Sequence, residues 1–365
     1  MQTSEKTQTQ REKLPDILKG FAVILVVLGH CIQEGSGETF SVRSLYFYDK
    51  LYQFIYSFHM PLFIAVSGYL CWGSIQNAHT WPEWIALLRR RSIRLLAPVL
   101  LWTASDTIRS LIVTGPDQSA PFQPAAFLLS FFWNTLNNLW FLWAVFWCFL
   151  IVSVMHFFFH NSVILYLVGF GIMFFIPDGM NLGAYKYVLP FFITAFYLHG
   201  YMERHECRLI REPTLWQILL TGLVFAILFA FFDENSMIYL SGYKLIGKDV
   251  LRQLGIDFYR ALIGFAGTLF FTLLWQYILR KRKNCKFRIL TALGENSMGI
   301  YILSGYLLLL FVRRLAFLEE PSYLVNVVET LILLPLSLFL TVLAEKMPFF
   351  CLFVGKERVK SATLL

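Results

Sequence analysis

The stretch Asp16-Ile-Leu-Lys19-Gly20-Phe-Ala-Val-Ile-Leu-Val-Val-Leu-Gly29-His30 sets a lysine and a histidine eleven residues apart in an otherwise apolar run. In a helix, eleven steps of about 100° close to within about 20° of three full turns, so both side chains share a face, separated by roughly 16 Å. Glu34 follows one turn beyond His30 on that face. A neutral imidazole beside a carboxylate is suited to take a proton from an alcohol near neutral pH. The same residues admit a structural role, with Lys19 reaching back to headgroups and His30 bonding a neighbouring helix.

Further candidates lie downstream. His59 precedes Pro61 within Phe58-His59-Met60-Pro61-Leu62-Phe63. A proline inside a helix frees a backbone carbonyl, so His59 either works beside His30 or satisfies the interrupted backbone. Ser67-Gly68 permits close helix approach, a packing role. Among Arg89, Arg90, Arg91 and Arg94, the first two read as topology signals. Arg91 and Arg94 share a helix face, where guanidinium forks either grip phosphates or mark topology as well. The basic run from Arg280 to Arg288 reads as topology and lipid headgroup contact. Tyr259 and Arg260 offer an aromatic platform and donors to a carbohydrate or an anionic lipid-linked acceptor, or Arg260 simply pairs with Asp257 at i, i+3.

These residues must be held by membrane-spanning helices. Of the 365 residues, 57% are hydrophobic and 15% charged, with 37 Phe, 10 Trp and a mean hydropathy of +0.60. A soluble domain carries roughly 25% charge. Residues 51–82 and 118–177 contain no Asp, Glu, Lys or Arg, and a span needs about 20 mostly apolar residues. Apolar runs predict ten spans near 15–34, 51–73, 93–114, 139–157, 161–177, 187–203, 214–232, 259–279, 297–317 and 323–345. The shorter stretch 122–133 reads as an interfacial helix or a re-entrant segment. The fold class is therefore all-α and polytopic. It comprises a tail of residues 1–14, a transmembrane domain over 15–346 and a second tail over 347–365.

With an inside N-terminus, 20 of the 31 Lys and Arg fall in inner segments and 8 in outer loops, while Lys19, Arg109 and Arg260 lie within spans. That bias predicts both termini in the cytoplasm. The formal charge of +8 is thus a topology signal, and no nucleic-acid partner is expected. The six cysteines form no C-x-x-C pair and read as reduced. No removed signal peptide is expected at the N-terminus. G-x-x-x-x-G-K-[ST], H-E-x-x-H and G-x-S-x-G are absent, so ATP hydrolysis, zinc proteolysis and serine-hydrolase chemistry have no support. The histidine spacing suggests no metal.

The D-x-x-K-G-x(8)-G-H stretch resembles the opening helix of the integral-membrane acyltransferases of acyltransferase family 3, in particular the branch of fucose 4-O-acetylases and related sugar O-acetylases. Phe58-His59-Met60-Pro61-Leu62-Phe63 with Ser67-Gly68-Tyr69 is similar to that branch's second span. Arg91-Ser-Ile-Arg94 with Pro98, Leu139-Trp140-Phe141-Leu142, and Gly294-Glu-Asn296-Ser297 with Tyr301 match further motifs in order. The resemblance implies transfer of an acyl group, acetyl above all, from cytoplasmic acyl-CoA (acetyl-CoA as donor substrate) to a hydroxyl of an envelope or exported carbohydrate, or of its lipid-linked precursor. His30, as general base or transient acyl carrier, would act with Glu34 and His59. Lys19, Arg91 and Arg94 would hold the donor, and Asp16, Tyr69, Trp140, Tyr259 and Arg260 the acceptor. The location implied is a bacterial cytoplasmic membrane, among membrane lipids. Where relatives often carry a histidine after the late tyrosine, this chain has Ser304 and Gly305. The rival reading, a transporter or flippase, suits ten helices with intramembrane charges, but the motifs crowd into the first hundred residues with no counterpart in the second half.

The topology is testable by cysteine accessibility in intact cells. An impermeant thiol reagent should label a cysteine placed in the 233–257 loop and leave Cys285 unlabelled until the membrane is opened. Labelling of Cys285 in sealed cells would reverse the orientation.

Overall fold

The computed structural model describes residues 13–35, 45–114, 124–205, 207–245, 249–282, 287–310 and 323–356. Cys285 and part of the 233–257 loop lie outside the described residues, as do residues 1–12 and 357–365 of the two tails. The described elements are helices: α1 Lys13–Gly35, α2 Lys50–Gln76, α3 Trp81–Thr114, α4 Pro124–Asn137, α5 Trp140–Phe159, α6 Val163–Met173, α7 Leu182–Arg204, α8 Arg208–Arg211, α9 Leu215–Ala230, α10 Ile238–Ser241, α11 Val250–Lys281, α12 Arg288–Glu295, α13 Ser297–Leu310 and α14 Tyr323–Lys346.

Each of the ten expected stretches carries a helix. Six of them, α1, α2, α3, α5, α11 and α14, are long and apolar enough to cross a membrane. Among the described residues, the other four fall short by length or composition. At 1.5 Å per residue, the 11 residues of α6 reach about 16 Å, well below a hydrocarbon layer of about 30 Å. Helix α7 has 23 residues but carries Lys186, Glu203 and Arg204. The proline-led stretch 122–133 becomes α4, with Leu128, Leu129, Phe132 and Trp133 exposed. Its Thr135 carbonyl accepts from Trp143 Nε1 at 2.9 Å.

Helices α1 and α2 form the centre. Their apolar cores are 67% buried, against 22% for α3 and 28% for α11 and α14. Helix α2 packs on α7 and α11, and α1 on α12, α13 and α14. Outward faces such as Ile164, Leu167, Leu251, Leu331 and Phe339 are exposed, as a lipid-facing surface requires.

The central contacts are backbone to backbone. A Cβ at Gly20 would collide with the Leu290 carbonyl oxygen, and one at Gly294 with that of Asp16. The glycines of the D-x-x-K-G and G-x-N-S stretches are therefore the two sides of one helix crossing. Gly68 meets the Phe192 carbonyl in the same way, the close approach that small residues permit between helices in a membrane. Two segments assigned to the periphery also join the bundle. Helix α12, within the stretch assigned to a cytoplasmic loop, lies against α1. Residues 347–356, assigned to a tail, fold back as a 3₁₀ turn over Phe350–Val354, where Trp102 Nε1 donates to the Phe353 carbonyl at 3.0 Å.

Replacing Gly294 or Gly68 by valine should cost about 1–3 kcal/mol through overpacking and lower the unfolding temperature in detergent. Gly305→Ala, where nothing lies within 4 Å of the added carbon, should leave it unchanged. Equal unfolding temperatures for all three variants would contradict the crossing geometry.

Candidate active site

A cavity of about 270 Å³ runs between α1, α2, α3, α5 and α13. Helix α1 contributes Lys19, Val26 and His30, spaced by seven and four residues and so kept near one face. Antiparallel α2 supplies Tyr56, His59, Phe63, Ser67 and Leu70 at the same helical spacing. The cavity is polar at both ends and apolar between them. At one end stand Lys19, Arg91, Arg94, Lys356 and Glu295; at the other stand His30, His59, Tyr56, Trp140, Tyr239 and Tyr301. Val26, Phe63, Leu95, Leu142 and Val145 line the passage.

The cationic groups are held in place. Lys19 Nζ lies 2.9 Å from the Asp16 carboxylate, and the Arg91 guanidinium sits 5.4 Å over the Phe149 ring. Lys356 Nζ is 3.3 Å from Glu345. At the far end, the nearly inaccessible His59 bonds the Ile55 carbonyl through Nδ1 at 2.7 Å. A carbonyl only accepts, so Nδ1 carries the hydrogen and Nε2 of the neutral ring keeps its lone pair. Thus Nδ1 is spent on the backbone of its own helix, on the Ile55 carbonyl and not on the Ser57 carbonyl that Pro61 leaves free. The His30 and Tyr301 rings are 6.3 Å apart, and Tyr56 meets His59 edge-on at 4.5 Å.

Trp140 is aimed by its backbone. Leu139, immediately before α5, adopts φ +47°, a left-handed conformation that is costly for a residue with a side chain. The adjoining turn is tied down by Asn138 Nδ2, which donates to Thr103 Oγ1 and to the Tyr306 hydroxyl, both at 3.1 Å.

The expected residues divide into two groups. Lys19, His30, His59, Arg91, Arg94 and Trp140 share the cavity wall. The other five are placed elsewhere. Glu34 is buried off the wall, because its position on α1 is rotated about 60° from Lys19. Asp16 serves Lys19 as counter-ion. Tyr69 occupies the opposite side of α2, where its carbonyl accepts from His199 Nδ1 at 2.7 Å. The Tyr259 hydroxyl donates to the Leu228 carbonyl at 2.7 Å. Ser304, one of the two residues that stand where the resemblance leads one to expect a late histidine, bonds the Tyr301 carbonyl of its own helix at 3.3 Å.

Arg260 takes a supporting position. Only 2% exposed, it pairs with Asp257 at 3.4 Å. It also donates to the Ser236 carbonyl at 2.9 Å, the Gly242 carbonyl at 3.2 Å and the Ser241 hydroxyl. These acceptors flank Tyr239, so Arg260 fastens the segment that carries this ring to the cavity. Asp178 holds the same segment from the other side, accepting from the Tyr243 amide at 2.6 Å and from Lys186 Nζ at 2.8 Å. Burial pushes the Asp178 carboxyl up, but Lys186 and the amides of Tyr243 and Lys244 outweigh it and hold the group below its usual range.

Sequence reasoning passed over Tyr56, Tyr239 and Lys356 and gave Tyr301 no role. Tyr56 was within reach, since it precedes His59 by three residues on one face. Tyr239 and Lys356 come from a loop and a tail whose placement no local pattern encodes.

Comparison with known proteins identifies the family. Nodulation protein NolL of Sinorhizobium fredii (strain NBRC 101917 / NGR234) is 28% identical over 201 residues, covering 55% of this chain and 52% of NolL. Nodulation protein NolL of Mesorhizobium japonicum (strain LMG 29417 / CECT 9101 / MAFF 303099) is 28% identical over 204 residues, covering 55% and 48%. The chain thus spans about half the length of the curated relatives it matches. No solved structure matches it. The family profile described as an acyltransferase domain, that of acyltransferase family 3, matches residues 13–346, nearly the whole of the described bundle, and the chain belongs to that family.

Proposed function

We propose that this protein is an O-acyltransferase that moves an acyl group, acetyl above all, from cytoplasmic acyl-CoA to a hydroxyl of a cell-envelope or exported carbohydrate or of its lipid-linked precursor. The observation that carries this reading is a cavity with four cations at one end and two histidines at the other. Phosphates suit the cationic end, where Arg91 and Arg94 offer planar donor forks and Lys19 a point charge. The apolar passage suits a thin pantetheine arm. Lys19 and His30, about 16 Å apart along α1, would mark its two ends. The Tyr56, Trp140, Tyr239 and Tyr301 rings suit the acceptor, because an aromatic face covers the apolar side of a sugar while a phenolic or indole edge bonds its hydroxyls.

In the proposed step, neutral His30 takes the proton of the acceptor hydroxyl as its oxygen attacks the thioester carbonyl carbon. The new C–O ester bond forms, the C–S bond breaks, and the departing CoA sulfur takes the proton from His30. The atoms balance, and the imidazole ends neutral. His59, its Nδ1 held by the Ile55 carbonyl, presents Nε2 to the same chamber and orients the reacting groups.

Two experiments test the division of labour. His30→Ala should lower transfer by about 10²–10⁴ and leave acyl-CoA binding nearly intact. A folded variant that transfers at the normal rate would end the mechanism. Arg91→Ala and Arg94→Ala should each weaken acyl-CoA binding, by about 1.5–3 kcal/mol for each charged hydrogen bond lost, without changing acceptor affinity. Unchanged CoA affinity in the double variant, measured calorimetrically, would leave both arginines as topology signals.

A further inference from the structure

Behind α2, on the face turned away from the histidines, lies a second and larger cavity of about 850 Å³, walled by α1, α2, α7 and α11. We propose that this cleft binds one anionic membrane phospholipid, with an acyl chain inside and its phosphate at the mouth. The inference does not rest on the acyl-transfer reading.

The deep wall is mostly apolar, built by Leu18, Leu62, Val66, Phe191, Ala195 and Leu269 with the hydroxyls of Thr194, Thr268 and Thr272 between them. The mouth is charged. Lys13, Arg211 and Arg282 line it with His199 and Glu203. Glu203 is already engaged: it accepts from Trp72 Nε1 at 2.7 Å and lies 3.6 Å from His199 Nε2. Arg211 spends one donor on the Met202 carbonyl at 2.7 Å and keeps others. Among the described residues, three cations against one engaged carboxylate give the mouth a net positive charge, complementary to a phosphate diester.

Length sets the ligand class. From Phe191 to Glu203 along α7 the cleft runs about 18 Å, and from Phe265 to Arg282 along α11 about 25 Å. A single leaflet, headgroup included, is about 20–22 Å thick. A pocket that is mostly apolar over the depth of one leaflet and basic at its end matches a lipid standing in its natural orientation. A soluble anion would use only the mouth. The lipid would support α2 from behind, opposite the wall that carries His59 and Ser67. This also gives Tyr69 a place: it lines the cleft and stacks on His199 at 4.0 Å between ring centres.

The test uses the purified full chain in mixed micelles. Phosphatidylglycerol should co-purify in excess of its share of the bulk lipid, as read by mass spectrometry of the extract, and should raise the unfolding temperature where phosphatidylcholine does not. In Lys13→Gln/Arg282→Gln, two changes at the mouth that leave the core intact, apparent affinity for phosphatidylglycerol should fall about tenfold or more. Ala195→Trp, which fills the cleft, should abolish lipid retention while acyl-CoA binding persists. Equal retention of both lipids, stabilisation by inorganic phosphate as strong as by phosphatidylglycerol, or undiminished binding in the double variant would each overturn the proposal.

Discussion

The backbones of α1 and α12 touch with no side chain between them, because Gly20 faces the Leu290 carbonyl and Gly294 faces that of Asp16. Interhelical contact inside a bilayer gains little from the hydrophobic effect, so van der Waals closeness has to supply it. This crossing fixes the rotation of α1. Since Lys19 and His30 lie close to one face, fixing the rotation at Gly20 also fixes both ends of the cavity. It brings Gly294, Glu295 and Met298 to the same wall, which is why two glycine-bearing motifs far apart in sequence belong to one site.

The second governing constraint is the cost of charge away from water. Each ionisable side chain inside a span costs about 2.5–3.5 kcal/mol on insertion scales, and here the buried ones have partners. Lys19 has Asp16, Lys186 has Asp178 and Arg260 has Asp257. These pairs do architectural work near the cavity. The Arg260 and Asp178 groups meet the stretch around α10 from two sides, and a four-residue helix too short to be stable alone thereby presents Tyr239 to the histidine chamber. Charged residues that attract attention as substrate ligands can thus act one step removed, through the element they hold.

Helix α2 divides the interior. One face, with Tyr56, His59, Phe63 and Ser67, closes the candidate active site. The other, with Leu62, Ala65, Val66 and Tyr69, walls the apolar cleft. Gly68 lets α7 approach between them. A helix with cavities on both flanks gains less packing than one in a filled core, so whatever occupies one side bears on the position of the other.

The amino-acid sequence by itself determined the helical class and the placement of the central helices, and six of the eleven candidate residues it singled out line one cavity. Those six are legible because helical periodicity is local: spacing by three, four, seven or eleven residues fixes a shared face whatever surrounds it. Composition likewise fixed the membrane environment, since so few charges over so many apolar residues admit no other solvent. Only the tertiary structure decided which shared face became the cavity wall. Tyr69 follows the same motif as Ser67 yet falls on the other side of α2, a two-residue step of about 200°. Glu34 drifts off the wall through accumulated rotation, and Arg260 turns toward backbone carbonyls rather than the cavity. Tyr239, Lys356 and α12 reach the site from segments that read as loop or tail, through contacts between residues distant in sequence. No periodicity records such contacts, because they depend on where other helices stop and how closely glycine lets them cross.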